Sequence, residues 1–265
     1  MEDETMKFGI NMFTLFKYME TEESFRSAVE RLKDMGYSYI QVSGKNYDHE
    51  IIGRVSKATE IPVILTHAPF DRIMNDYDRL MEEHASFNCY RIGMGMVVPA
   101  TIFASTDEAM RTIDKIEKIA EKMSNNGFKF FYHNHFQEFH KMENGRRVYD
   151  YMIDAAPHFN FTFDTYWAQY GGMDIMTLLD RLAGRIECVH LKDYKVDFLE
   201  EDGKPIFKPA ICALGEGNID FAPICKKMKA LGTEYFLVEQ DNACHKPDPF
   251  MQVEASANYL KQIEI

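Results

Sequence analysis

Short apolar runs alternate along this chain with longer stretches whose hydrophobic positions recur every three or four residues. That is the rhythm of repeated βα units. Eight runs read as strands: 7–11 (KFGIN), 37–43 (YSYIQVS), 62–67 (PVILTH), 89–93 (CYRIG), 129–135 (KFFYHNH), 160–165 (NFTFDT), 187–192 (ECVHLK) and 234–240 (EYFLVEQ). Between the first two, residues 22–35 place Phe25, Ala28, Val29, Leu32 and Met35 on one helical stripe. Residues 106–125 repeat the pattern with Met110, Ile113, Ile116, Ile119, Ala120 and Met123, behind the capping sequence STDE at 105–108. Gly36, Gly127 and Gly232 each follow a predicted helix and precede a strand, where a left-handed residue ends the helix. Eight such units predict an α/β fold, a closed (β/α)8 TIM barrel, as a single domain over residues 1–265. A doubly wound sheet shares the alternation but carries a glycine-rich phosphate loop after its first strand, and Gly9–Phe13 is not one. The excursion at 194–214, containing EEDGKP, reads as a rim lid or a surface loop.

In a barrel of this kind the chemistry sits where strands end and βα loops begin. The third predicted strand ends at His67, and the fifth at His133–Asn134–His135 with Glu138 just beyond. The sixth ends at Asp164, the seventh at His190–Leu191–Lys192–Asp193, and the eighth at Glu239–Gln240–Asp241. Each of these polar groups terminates an apolar run, and a buried carboxylate costs several kcal/mol unless it is paired or metal-bound. Taken singly, each has a plainer role: a hydrogen-bonded structural histidine, Asp164 capping the next helix, Glu239 pairing with Lys192. Taken together, a Glu, Asp, His and Glu gathered at one mouth would repel one another, and a divalent cation relieves that. Oxygen-rich ligands with an imidazole suit Mn²⁺, Mg²⁺, Co²⁺ or Zn²⁺, and spacing does not choose among them.

Forty-two acidic against thirty basic side chains give a net charge of -12, which disfavours generic nucleic-acid binding. The five cysteines form no C-x-x-C pair and are expected as reduced thiols. The start, MEDETMKFGINMF, lacks the basic segment and apolar core of a signal peptide. No apolar run approaches the ~20 residues that span a bilayer. The expectation is a cytoplasmic protein without membrane or nucleic-acid partners.

At the strand ends the sequence resembles the sugar phosphate isomerase/epimerase superfamily, the xylose-isomerase-like barrels. The matching segments are THAPF (66–70), YHNHFQEF (132–139), FDTYWAQYGG (163–172), VHLKDY (189–194), LGEGNIDF (214–221) and VEQD (238–241), in family order over most of the chain. The resemblance implies one divalent metal held after strands five to eight, which falls on Glu138, Asp164, His190 and Glu239. Many relatives put a glutamate directly at the end of strand five, where this chain has YHNH, so His133 and His135 compete with Glu138 as ligand, base or substrate contact. The implied activity is isomerisation or epimerisation of a sugar or keto-sugar, by proton transfer next to a carbonyl through a metal-stabilised enediolate. Glu138 and Glu239 would move the proton, with His135 the alternative base. Lys192 would neutralise developing charge, Trp167 would stack on a sugar face or pack under the rim, and His67, His133 and Gln240 would contact substrate. Acidic barrels of this group commonly associate, so a homo-oligomer is compatible with the sequence.

Three other readings remain. A lyase or dehydratase of 3-keto-glycosides or inososes would use the same proton abstraction and then expel a β-substituent. A catalytically silent sugar-binding subunit would be free to lose a ligand, against which the intact set weighs. A DNA-repair endonuclease on the same barrel would need a richer ligand set for three zinc ions and a cationic groove.

Overall fold

The structure, a computed structural model, describes residues 6–43, 47–95 and 100–263. Its strands are β1 (Phe8–Asn11), β2 (Tyr39–Ser43), β3 (Val63–Ala68), β4 (Arg91–Met94), β5 (Lys129–His133), β6 (Phe159–Asp164), β7 (Cys188–Leu191), β8 (Asp193–Glu201), β9 (Lys204–Cys212) and β10 (Tyr235–Val238). All but β8 and β9 close into a parallel barrel in the order β1-β10-β7-β6-β5-β4-β3-β2. The barrel shuts where β1 pairs with β10, Phe8 opposite Phe236 and Ile10 opposite Val238. The eight predicted strands are these eight, displaced by at most a residue or two at their ends.

Helices fill the connections as the periodicity requires. Glu22–Asp34 begins with a capping box in which Ser24 N donates to Thr21 Oγ1 at 3.1 Å, and it buries Phe25, Ala28, Val29 and Leu32. Thr106–Asn125 is capped by Ser105, which accepts from Glu108 N at 3.2 Å, and it buries Ile113, Ile116, Ile119, Ala120 and Met123. These stripes join Ile10, Ile40, Ile92, Phe130, Phe161 and Val189 in one continuous core.

Side chains alternate along a strand, so every second residue faces the barrel interior. A separate apolar cluster, with Tyr39, Leu65, Phe131, Cys188 and Leu237 among its members, fills that interior. Two residues further along the same strands come Gln41, His67, His133, His190 and Glu239. The inner face thus changes from apolar to polar in one step of the pleat, at the end where the βα loops leave. The layering needs small residues at two strands. A Cβ on Gly9 would stand 2.2 Å from Tyr39 Cδ2, and one on Gly93 would stand 2.7 Å from His67 Cδ2.

The excursion at 194–214 is a regular element rather than an irregular loop. It lies largely within an antiparallel hairpin, β8 against β9, in register with Phe198 opposite Phe207. Asp202 and Gly203 turn it with φ of 52° and 70°, the paired left-handed residues of a type I′ turn. No described helix is long and apolar enough to cross a membrane. All five cysteines are buried and free.

One buried histidine outside the barrel mouth makes stability depend on pH. His84, on helix Tyr77–Ser86, lies 2.6 Å from Leu80 O through Nδ1, and its Nε2 lies 2.6 Å from Thr66 Oγ1. Burial lowers its pKa to about 4. Because the folded value lies below the unfolded one of about 6.5, the unfolded chain binds more protons in that window and stability falls as pH falls. The contribution is complete above about pH 6.5 and lost as pH drops through 4, on the order of 3 kcal/mol. Urea midpoints measured from pH 7 to 4 should fall less steeply for His84→Asn than for the parent; equal slopes would refute the assignment.

Candidate metal centre

Four buried residues at the barrel mouth, His133, Asp164, His190 and Glu239, each offer one donor atom, and these atoms all lie within 4.8 Å of one another. His133 and Asp164 are the last residues of β5 and β6, His190 is the penultimate residue of β7, and Glu239 directly follows β10. Each carries a second polar atom held by a specific partner. Asp164 Oδ1 accepts from Trp167 N at 2.8 Å as the N-cap of helix Thr165–Tyr170. Glu239 Oε1 accepts from Asn11 Nδ2 at 2.6 Å. His190 Nε2 donates to Gln41 Oε1 at 2.7 Å, and Gln41 in turn donates to Ser43 Oγ at 3.0 Å. His133 Nδ1 faces Thr162 O at 3.3 Å, which leaves Nε2 available. Such partners fix ring orientation and tautomer in metal sites.

The atoms left over are the ones that converge. Asp164 Oδ2, His190 Nδ1 and Glu239 Oε2 are buried without a hydrogen-bond partner. His190 Nδ1 lies 2.8 Å from Glu239 Oε2 and 3.9 Å from Asp164 Oδ2. With Nε2 engaged by Gln41, Nδ1 is left to share a proton or a cation with the carboxylate oxygen. Buried and mutually facing, these atoms fit a cation.

Lys192 is the fixed counter-charge. Its ammonium, fully buried, stands 2.9 Å from Glu239 Oε2, 3.2 Å from Asp164 Oδ2 and 3.0 Å from Asp241 Oδ1. Burial favours its neutral form, but Asp164, Glu239 and Asp241 outweigh that and hold the ammonium firmly charged. Three carboxylates against one ammonium leave two negative charges, which one divalent ion balances. Burial, reinforced by Glu239, lifts Asp164 to about 7 in spite of Lys192. Burial acts the same way on Glu239, yet His190 and Lys192 prevail and hold it well below the usual carboxylate range.

Imidazoles surround the group. His67 stacks on His133 with ring centroids 5.2 Å apart, and His135 meets His133 edge-on at 4.5 Å. Burial keeps His67 and His133 neutral far below the ordinary histidine range and lowers His135 to about 4. His67 Nε2 and His135 Nδ1 are buried and unpartnered.

Glu138, expected among the ligands, is engaged elsewhere. Glu138 lies on the turn Gln137–Phe139, where its carboxylate accepts from Tyr132 Oη at 2.9 Å and from His135 N at 2.8 Å. It closes its own loop rather than joining the group, because His133, the last residue of β5, already faces inward. Gln240, expected to contact substrate, donates through Nε2 to Asn242 Oδ1 and Gln252 Oε1 at 2.9 and 3.0 Å, while its Oε1 is buried and unpartnered. Trp167 is half-buried, with the Lys192 ammonium 5.1 Å from its ring centroid. Asn11 and Gln41 are components that strand-end reasoning passed over, whereas Asp241 was among the polar residues ending the eighth strand. The signal for Asn11 and Gln41 was a lone polar residue at an inward position of an otherwise apolar strand.

A family model described as xylose isomerase-like TIM barrel matches residues 29–263. The chain belongs to this family. Among xylose isomerase-like relatives, an inosose dehydratase from Geobacillus kaustophilus is 30% identical over 159 residues, covering 56% of this chain and 51% of the relative. The chain spans about half the length of the curated relatives it matches. A sugar phosphate isomerase/epimerase structure from Parabacteroides distasonis superposes with a TM-score of 0.80 at 19% identity, covering 98% of this chain and all of that one. A xylose isomerase-like barrel from Mycobacterium smegmatis in complex with magnesium gives 0.67 at 12% identity, covering 99% and 98%. At such identities the solved structures speak to the fold.

Proposed function

We propose that this chain is a divalent-metal-dependent enzyme that transfers a proton next to the carbonyl of a sugar-like substrate, as an isomerase or epimerase. The observation that carries the reading is the convergence of the buried atoms Asp164 Oδ2, His190 Nδ1 and Glu239 Oε2 beside His133 and the Lys192 ammonium. Held by His133, Asp164, His190 and Glu239, a divalent ion would supply a Lewis acid for a carbonyl and its neighbouring hydroxyl. Two imidazoles and two carboxylates favour Mn²⁺, Co²⁺ or Zn²⁺ over Mg²⁺, which prefers oxygen ligands.

The rest falls to the chain's own groups. Both oxygens of Glu239 are engaged, one by Asn11 and one at the centre, so the free proton acceptors are the neutral imidazoles. His135, with Nδ1 unpartnered, takes the α-proton as a neutral imidazole and returns it as the imidazolium so formed, while His67 Nε2 is a second unpartnered imidazole nitrogen for the substrate's hydroxyl and carbonyl oxygens. Lys192 acts as a fixed positive charge beside the developing enediolate; three carboxylates bind its proton too firmly for it to be the acid. The surrounding apolar layer excludes water and strengthens these interactions.

A second reading, loss of a β-hydroxyl after the same proton abstraction, is supported by the curated relatives, which are inosose dehydratases. Incubating metal-loaded protein in D₂O with ketoses, inososes and 3-keto-glycosides tests both. Deuterium at the carbon beside the carbonyl, with mass otherwise conserved, is the expected result. Loss of 18 Da with a new enone absorbance would select dehydration. Neither change, at full metal loading across the panel, would sink the proton-transfer reading.

A further inference from the structure

The barrel mouth continues outward into an aromatic surface that the proton chemistry does not use. His135 lies 5.5 Å from Trp167, ring centre to ring centre, and Trp167 lies 5.6 Å from Phe136 and 5.8 Å from Tyr170. Phe136 and Tyr170 meet edge-on at 5.2 Å, yet are 40% and 50% exposed. Exposed aromatic rings beside a polar pocket mark a place where a ligand covers them. The platform is also rigid. Trp167 and Tyr170 ride on the helix that Asp164 caps, and at its end Gly171 is pressed so closely to Phe139 that a Cβ would stand 2.4 Å from its ring.

A polar handle accompanies the rings. Trp167 Nε1 is buried and has no hydrogen-bond partner, and the same is true of His135 Nδ1 beside it. An indole N–H in that position donates to a ligand oxygen while the neighbouring rings take up apolar C–H faces. Charge limits the ligand further. A divalent ion and Lys192 balance Asp164, Glu239 and Asp241, so no surplus positive charge remains there to attract a phosphate.

We propose that Phe136, Trp167 and Tyr170 form a subsite for a second ring, so that the substrate is a glycoside bearing a carbonyl rather than a free monosaccharide or a sugar phosphate. This deepens the proton-transfer reading by naming the substrate class and rests on it for the carbonyl, but its test needs no turnover. Trp167 is the only tryptophan in the chain, so intrinsic fluorescence reports on the platform. Metal-loaded protein is titrated with methyl β-glucoside, phenyl β-glucoside, cellobiose and glucose 6-phosphate; none holds a ketone in its ring, and only the last two can open to an aldehyde.

The expected result is at least about ten-fold tighter binding of phenyl β-glucoside, cellobiose or both than of methyl β-glucoside, with glucose 6-phosphate no better than methyl β-glucoside. Whichever two-ring ligand binds tightly identifies the second ring as aryl or sugar. Tyr170→Ala should reduce the preference to within about two-fold, while Tyr170→Phe keeps it. Equal binding of one-ring and two-ring ligands overturns the proposal, as does a preference that survives Tyr170→Ala or tightest binding of the phosphate. An absence of deuterium exchange would instead count against the proton chemistry and leave this binding result standing.

Discussion

Glu239→Gln is expected to weaken metal binding at least about 100-fold and, through the charge it no longer supplies at the centre, to lower turnover on the order of 100- to 1000-fold. The substitution keeps the shape of the side chain and the oxygen that accepts from Asn11 Nδ2. What it removes is the negative charge facing His190 Nδ1 at 2.8 Å and Lys192 at 2.9 Å. Loss of an outer partner such as Gln41 typically costs ~10–100-fold in affinity, so loss of a ligand should lie at or beyond that range. Metal per chain by elemental analysis and single-turnover rates with saturating metal separate the two effects. Unchanged metal content together with unchanged turnover would remove Glu239 from the site.

Lys192→Met should destabilise the metal-free protein by about 3–5 kcal/mol, the usual consequence of removing one partner from a buried ion cluster. Methionine fills much of the same volume, so the cost is electrostatic rather than a cavity. Without the ammonium, Asp164, Glu239 and Asp241 face one another with no fixed counter-charge, and proton uptake by Asp164 becomes the nearest relief. Added metal should restore part of the loss, because a divalent ion offsets the same carboxylates. Urea midpoints of both forms, with and without metal, give the comparison. A metal-free variant as stable as its parent would mean that the ammonium does not balance the cluster.

The barrel was legible because its strands are buried on both faces and therefore stand out as apolar runs between amphipathic helices. Asp164, His190 and Glu239 were legible because each ends such a run with a polar side chain. The strand-five residue was not, since the decision between His133 and Glu138 rests on the pleat. His133 falls on the inward parity shared with Phe131, whereas Glu138 comes after the strand has given way to a turn that uses its carboxylate internally. Asn11 and Gln41 were hidden for a different reason: their partners lie 228 and 149 residues away, and no local pattern announces such contacts. The β8–β9 hairpin was readable in principle. Asp202–Gly203, between alternating apolar residues, is a strong two-residue turn signal, but the charged residues around it suggest a loop. The aromatic platform became visible only once exposure and contact were known, because packing under the rim and stacking on a ligand look alike in sequence.

The hydrogen bond between Asn11 and Glu239 also joins the two ends of the chain. It lies at the seam where β1 meets β10, so the donor cluster has its full geometry only after the last barrel strand has docked against the first. Contacts of such long sequence separation form late and slow folding. A cation that binds this cluster has little affinity for earlier, open forms, and its whole binding free energy therefore counts toward keeping the seam shut. Metal uptake would then act as a clasp on the finished barrel, and its rate in a refolding experiment would time the closure of the ring.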